Sequence, residues 1–182
     1  MSKLQNTETK SLRDGVHWYA VRTFGEDPFR VGAQAQRQGI EGWIPSQKVW
    51  TRQNGQSIPR REALLPQILF VRCGERQLRD FVMSYFWRIM PFLAPDGSPW
   101  IVDEGEIENL RLALSAGNGL IYMNLGAEGK PSQRPVRVVD GPYTGVHGYY
   151  KRVDGNRMVI LPVSGVATVR LPFIPPAALA NA

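Results

Sequence analysis

Few residues of this chain are typed and spaced for covalent chemistry. Cys73 is the single cysteine, so no intramolecular disulfide forms. It sits in Phe70-Val71-Arg72-Cys73-Gly74 at a strand end, where Arg72 would favour its thiolate. No base is identifiable for it, which makes an ordinary strand-end cysteine the simpler reading. The two histidines, His17 and His147, have no metal-ligand neighbour at useful spacing. The acidic pairs Glu26-Asp27 and Asp103-Glu104 sit where one opens a helix and the other caps one. A Ser/His/Asp set, a metal cluster and a glycine-rich phosphate loop are all missing from the sequence. An enzyme is therefore not expected, nor a cofactor. The remaining chemistry is electrostatic: Lys48, Arg52, Arg60 and Arg61 fall within one stretch that carries no acid. Such a stretch suits a phosphate backbone or an acidic protein.

The bulk numbers place these residues on a folded chain. Its 182 residues have room for one ordinary domain or two small ones. A hydrophobic fraction of 43% with 21% charged residues supports packed cores. The net charge is +6, and residues 134–182 hold six Lys/Arg against Asp140 and Asp154. Solubility alone would account for a charge of this size. No window reaches the length of a membrane span, and the polar stretch from Met1 to Gly15 lacks a signal-peptide core. A cytoplasmic monomer with no membrane contact is expected.

Periodicity supplies the positioning elements. His17-Trp18-Tyr19-Ala20-Val21-Arg22-Thr23 reads as a strand. Asp27-Pro28 reads as an N-cap and first-turn proline for a helix that Gly39 ends. Residues 40–45 suit a second strand. Asn54-Gly55 predicts a hairpin over 48–61 whose polar, basic arms project from the body. Leu64 to Val71 suits a central strand, and residues 76–83 a short helix. Residues 87–93 and 100–102 read as strands around a Pro95-Asp96-Gly97 turn. Asp103 with Glu106 forms a capping-box pattern, and Ile107, Leu110 and Leu114 share one helical face. Residues 117–133, rich in glycine, read as a linker.

Beyond the linker the pattern is all-β. Val136-Arg137-Val138-Val139 alternates into Asp140-Gly141-Pro142-Tyr143-Thr144-Gly145, and Gly145 and Gly148 suit backbone angles other residues avoid. Asp154-Gly155 and Ser164-Gly165 join further strands, Phe173 to Pro176 closes the set, and an alanine-rich end frays. Val, Ile and Thr are dense from Arg157 to Leu171, with Pro162, Gly165 and Pro172 disfavouring helix. A stable small barrel is expected.

The Val136–Gly148 segment resembles the KOW motif, the opening turn of an SH3-like barrel. With Trp18-Tyr19-Ala20-Val21, the basic hairpin, Leu65-Pro66-Gln67-Ile68-Leu69-Phe70-Val71 and Pro99-Trp100-Ile101-Val102 in order, most of the chain resembles the NusG family of transcription elongation factors. The resemblance implies an α+β fold: a NusG-type N-terminal α/β sandwich (NGN) at 16–116, a flexible linker at 117–133 and a KOW barrel at 134–178. Housekeeping members usually carry Pro-Gly-Tyr where this chain has Pro66-Gln67-Ile68. The segments Trp87-Arg88-Ile89-Met90 and Phe173-Ile174-Pro175-Pro176 look more like specialised paralogues. The closest likeness is to UpxY-type antiterminators of capsular polysaccharide operons; RfaH is more distant.

By that resemblance the N-terminal domain docks on the clamp helices of RNA polymerase through an apolar depression. Leu65, Ile68, Phe70 and Phe92 would line it, with Arg22 and Arg30 at its rim. Exposure of at least two of the four is expected. Lys48, Arg52, Arg60 and Arg61 would touch DNA phosphates, or form a merely solvated hairpin. Recruitment would use non-template DNA or a nascent leader RNA. Pro142, Tyr143, Thr144, Val146 and His147 mark where relatives bind ribosomal protein or termination factor, although Tyr143 equally suits turn packing. The rival reading is a ribosome- or RNA-binding KOW protein without polymerase activity.

Overall fold

The computed structural model describes residues 15–86, 88–123, 134–153 and 156–182. The chain divides into two compact units, one running to Ile44 and resuming over Pro66–Val102, the other made of Pro45–Leu65 and Asp103–Ala182.

In the first unit β1 (His17–Thr23) is the central strand, with Trp18 to Val21 buried. It pairs antiparallel with β5 (Ile68–Cys73), β6 (Ile89–Pro91) and β7 (Ile101–Val102). The short β2 (Glu41–Trp43) adds to the far side of β5. Helix α1 (Pro28–Arg37) starts as its sequence demands: the Asp27 carboxylate accepts from the Phe29 N–H at 3.0 Å, and Pro28 needs no donor there. The chain leaves it through Gly39, at φ +72. Gly42 faces α1, where a Cβ would make ordinary contact with the Gly32 carbonyl oxygen at 3.5 Å. Helix α2 (Glu75–Met83) buries Leu78, Phe81 and Val82.

The second unit contains the hairpin of β3 (Ser46–Gln53) and β4 (Gln56–Ala63). Asn54 at φ 51 and Gly55 at φ 80 make its two-residue turn, as the dipeptide predicts. Helix α3 (Glu104–Ala116) follows, then β8 (Ile121–Met123), β9 (Arg134–Val138), β10 (His147–Val153), β11 (Asn156–Val163), β12 (Ala167–Arg170) and β13 (Leu179–Asn181). These strands form one antiparallel sheet in the order β13-β9-β10-β11-β12-β8. Its core includes Val136, Val138, Val146, Val159, Leu161 and Val169.

Several elements depart from the sequence reading, each through a contact that local pattern does not carry. Helix α3 groups with the hairpin and the second sheet, not with residues 16–44 and 66–102. Asn109 explains part of this: its amide donates to the His147 carbonyl at 2.7 Å and accepts the His147 N–H at 2.8 Å. Glu106 accepts from the Ser164 N–H at 2.8 Å and from the Ser164 hydroxyl at 2.5 Å. The capping box is thus half realised, with the Asp103 carboxylate accepting from the Glu106 N–H at 3.2 Å. Within the expected linker, residues 121–123 are strand β8, paired with Thr168–Arg170; residues 124–133 lie outside the described residues. The alanine-rich end, expected to fray, turns through a 3-10 segment at Pro176–Ala178 and becomes β13 against Val136–Val138. Gly148 has no positive φ; it serves close packing, because a Cβ would sit 2.7 Å from the Ile160 carbonyl oxygen. The Asp154-Gly155 turn and Trp87 lie outside the described residues.

Candidate functional site

Strand register sorts the residues of the first unit by face. Arg22 pairs with Ile68 and Met90, and Ala20 pairs with Phe70, which in turn pairs with Trp43. These side chains share the face opposite the one that α1 covers through Gly42 and Val71. The expected depression is not open there: Ile68 is 2% exposed and Phe70 0%. Leu65, which belongs to the second unit, is buried at 0% exposure and is not part of that face. Ile68 and Phe70 alternate onto one face of β5, where the Trp43 ring lies against Phe70 at 5.5 Å and 31°. Alternation reports direction; cover comes from residues distant in sequence.

Phe92 and Arg22 are brought together. Phe92 is half-buried, its N–H donates to the Ala20 carbonyl at 2.9 Å, and the Arg22 guanidinium lies 4.8 Å from its ring centroid. Arg22 is exposed, so a cation rests on an aromatic face at the surface. Arg30 is exposed but stands on α1, where its charge and that of Arg37 act on Tyr85; burial and Glu26 nevertheless raise that phenol. A second apolar region was missed by sequence reasoning. Met83 and Leu93 border a groove of about 500 Å³ that Leu78, Val82 and Met90 also line. Phe86, 86% exposed and at φ 48, follows the end of α2. Exposure of this kind has no sequence signal, because the same residues would suit a core.

The hairpin resolves the four cations by face. Lys48 pairs with Arg61, Trp50 with Pro59 and Arg52 with Ser57, so Lys48, Trp50, Arg52 and Arg61 share one surface. Arg60 pairs with Val49 and points to the other side. All four cations are exposed, and Trp50 is 69% exposed. The Arg61 Nε donates to the Ser46 hydroxyl at 2.7 Å. Gln47 anchors the base of the hairpin, donating to the Leu120 carbonyl at 3.0 Å and accepting the Gly119 N–H at 3.1 Å.

The turn before β10 also splits. Pro142, Thr144 and His147 are exposed, whereas Tyr143 and Val146 are buried. The Tyr143 hydroxyl donates to the Asn118 carbonyl at 3.3 Å, and burial pushes its phenol upward. Tyr143 therefore packs the turn. Burial likewise pushes the Cys73 thiol up to about 11, away from nucleophilic chemistry, despite Arg72 beside it.

A family described as transcription termination factor nusG matches residues 16–111. The chain belongs to the NusG family. Members of the NusG family are non-enzymatic transcription factors that interact with RNA polymerase. Among solved structures the chain is similar to one titled "Domain interaction in Thermotoga maritima NusG", with 19% identity and a TM-score of 0.48 over 92% of this chain and 97% of that one. No curated protein matches the chain. Gln67 takes φ 58, a left-handed angle natural to glycine. Its carbonyl accepts the Thr23 N–H at 2.8 Å and the Thr23 hydroxyl at 3.3 Å, which holds the turn in place.

Proposed function

We propose that this NusG-family protein is a specialised elongation and antitermination factor, closest to the UpxY-type paralogues, that binds the polymerase clamp helices and suppresses pausing or termination on a small set of capsular or exopolysaccharide operons. The carrying observation is the family match over residues 16–111, which spans the unit bearing Arg22 and Phe92. In this reading the half-buried Phe92 is the apolar anchor, and Arg22 steers approach from its rim. Ile68 and Phe70 support that contact from within the core, and Arg30 contributes long-range charge. The action is a population shift: a factor that binds the elongating polymerase better than the paused one favours elongation without covalent chemistry.

The hairpin cations add phosphate contacts to nucleic acid near the polymerase. The six-stranded sheet acts as the KOW module, presenting Pro142, Thr144 and His147 to ribosomal protein or termination factor. Gln67 in place of the usual glycine supports a specialised paralogue. The test is retention of purified core polymerase by the full-length chain, compared with Phe92→Asp and Arg22→Glu, each checked for fold by circular dichroism. Retention lost in both folded variants is expected. Unchanged retention would overturn the docking assignment, and enrichment of ribosomes without polymerase would replace the reading altogether.

A further inference from the structure

We infer that Trp50 is a stacking platform for an unpaired base of a single DNA strand whose phosphates run along Lys48, Arg52 and Arg61. The inference rests on the transcription-factor reading above and deepens its hairpin contact. A single exposed aromatic is ordinary on a protein surface. Trp50 differs by its setting: it lies mid-strand, 69% exposed, with a cation two residues away on either side of it on the same face. Two residues of strand span about 7 Å, so Lys48 and Arg52 flank the indole along the direction a backbone would take. Arg61, directly across from Lys48, adds a third charge to that face, and Pro59 lies directly across from Trp50. Arg60 is on the opposite side and takes no part.

The chemistry selects among nucleic acids. Phosphate contacts alone would accept duplex as readily as single strand, because every backbone carries the charge. An indole face adds affinity only where a base is unstacked, and it accepts any base, since each has a π-face. Elongation keeps one DNA strand displaced on every template, which matches a sequence-tolerant platform. The Asn54-Gly55 turn holds this surface at the end of a two-stranded ribbon, so the strand can lie along its length.

The test uses the full-length chain and three fluorescein-labelled probes of one mixed sequence: single-stranded DNA, duplex DNA and single-stranded RNA. Anisotropy is read across a salt series. Single-stranded DNA is expected to bind more tightly than the duplex and at least as tightly as the RNA. Trp50→Ala should weaken the single strand about tenfold and leave the duplex nearly unchanged. Trp50→Phe should restore most of the loss, which excludes a folding defect. Lys48→Gln and Arg52→Gln should each flatten the salt slope by about 0.7, while Arg60→Gln should leave the single-strand affinity unchanged. Equal affinity of Trp50→Ala and parent for single-stranded DNA overturns the stacking role, and tighter binding of the RNA overturns the DNA assignment. Failure of every probe to bind, with polymerase still retained, defeats this inference and leaves the polymerase reading standing. Tryptophan-dependent DNA binding without polymerase retention does the reverse.

Discussion

Replacing Gly148 by alanine should destabilise the second unit far more than replacing Gly141, although Gly141 is the residue with the unusual backbone angle. Gly148 lies on β10, which is hydrogen-bonded to β9 on one side and β11 on the other. A Cβ there would meet the Ile160 carbonyl oxygen at 2.7 Å, Val159 Cγ1 at 2.8 Å and Leu161 Cδ2 at 3.1 Å. The nearest of these is backbone, so relief requires moving β11 away from β10. Overpacking of this kind costs typically 1–3 kcal/mol, and a strand held from both sides puts Gly148→Ala near the top, at about 3 kcal/mol. Gly141 has φ +85 and open space around its Cβ position, so Gly141→Ala carries only the left-handed penalty of about 1 kcal/mol. Amide hydrogen exchange on peptides from residues 134–182, with His17–Thr23 as internal reference, separates the units. Exchange in the sheet should quicken about 100-fold for Gly148→Ala and a few-fold for Gly141→Ala, since each 1.4 kcal/mol is a factor of ten. Equal effects, or a larger one at Gly141, would refute the steric argument.

Gln67→Gly should stabilise the first unit by about 0.5 kcal/mol, because relief of the left-handed strain exceeds the added freedom of the unfolded chain; a fall in melting temperature would count against it. Asn109→Ala should cost about 1 kcal/mol, since the His147 N–H and carbonyl it satisfies sit on an exposed residue and can turn to water. Loss of exchange protection at the His147 amide is the reading to take by NMR. Cys73, its thiol raised from 9.0 to about 11, should react with a disulfide reagent at pH 8 about 100-fold more slowly than a free thiol on thiolate fraction alone, and at full speed once unfolded. Tyr143 has a raised folded pKa, so its contribution is intact below pH 10 and is lost as the pH climbs through the folded value. Urea titrations at rising pH should show that loss in the parent and not in Tyr143→Phe.

What was legible in the sequence was local. Strand β1 runs over His17–Thr23, the Asp27-Pro28 start of α1 and the Asn54-Gly55 turn form as written, and each is decided by residues within a few positions of one another. Strand alternation implies that Ile68 and Phe70 share one face, which the register shows to be the face away from α1. It could not reveal that this face is covered, because cover on Phe70 comes from Trp43, whose pairing is set by a register 27 positions away. The hairpin shows the same limit in reverse. Counting charge grouped Lys48, Arg52, Arg60 and Arg61, and only the register separates Arg60 from the others and puts Trp50 among them.

Helix α3 shows why unit boundaries are harder to read than elements. Its start is encoded by Asp103 as N-cap, whose carboxylate accepts the Glu106 N–H. Its allegiance is encoded by Asn109, an unremarkable polar residue on an amphipathic helix. That amide satisfies both backbone groups of His147 at the start of β10, and Glu106 does the same service for the N–H and hydroxyl of Ser164 in the β11–β12 turn. A side chain that mimics a strand's hydrogen-bonding edge has no periodicity and no composition signature, so its partner appears only when the sheet does. The glycine-rich stretch after α3 reads as a linker for the complementary reason. Gly119 is at φ +99, which a flexible segment would allow; here it lies one residue from buried Leu120 and leads into β8. Glycine reports that the backbone is permitted to turn, and the pairing of Ile121–Met123 with β12 decides that this turn is fixed.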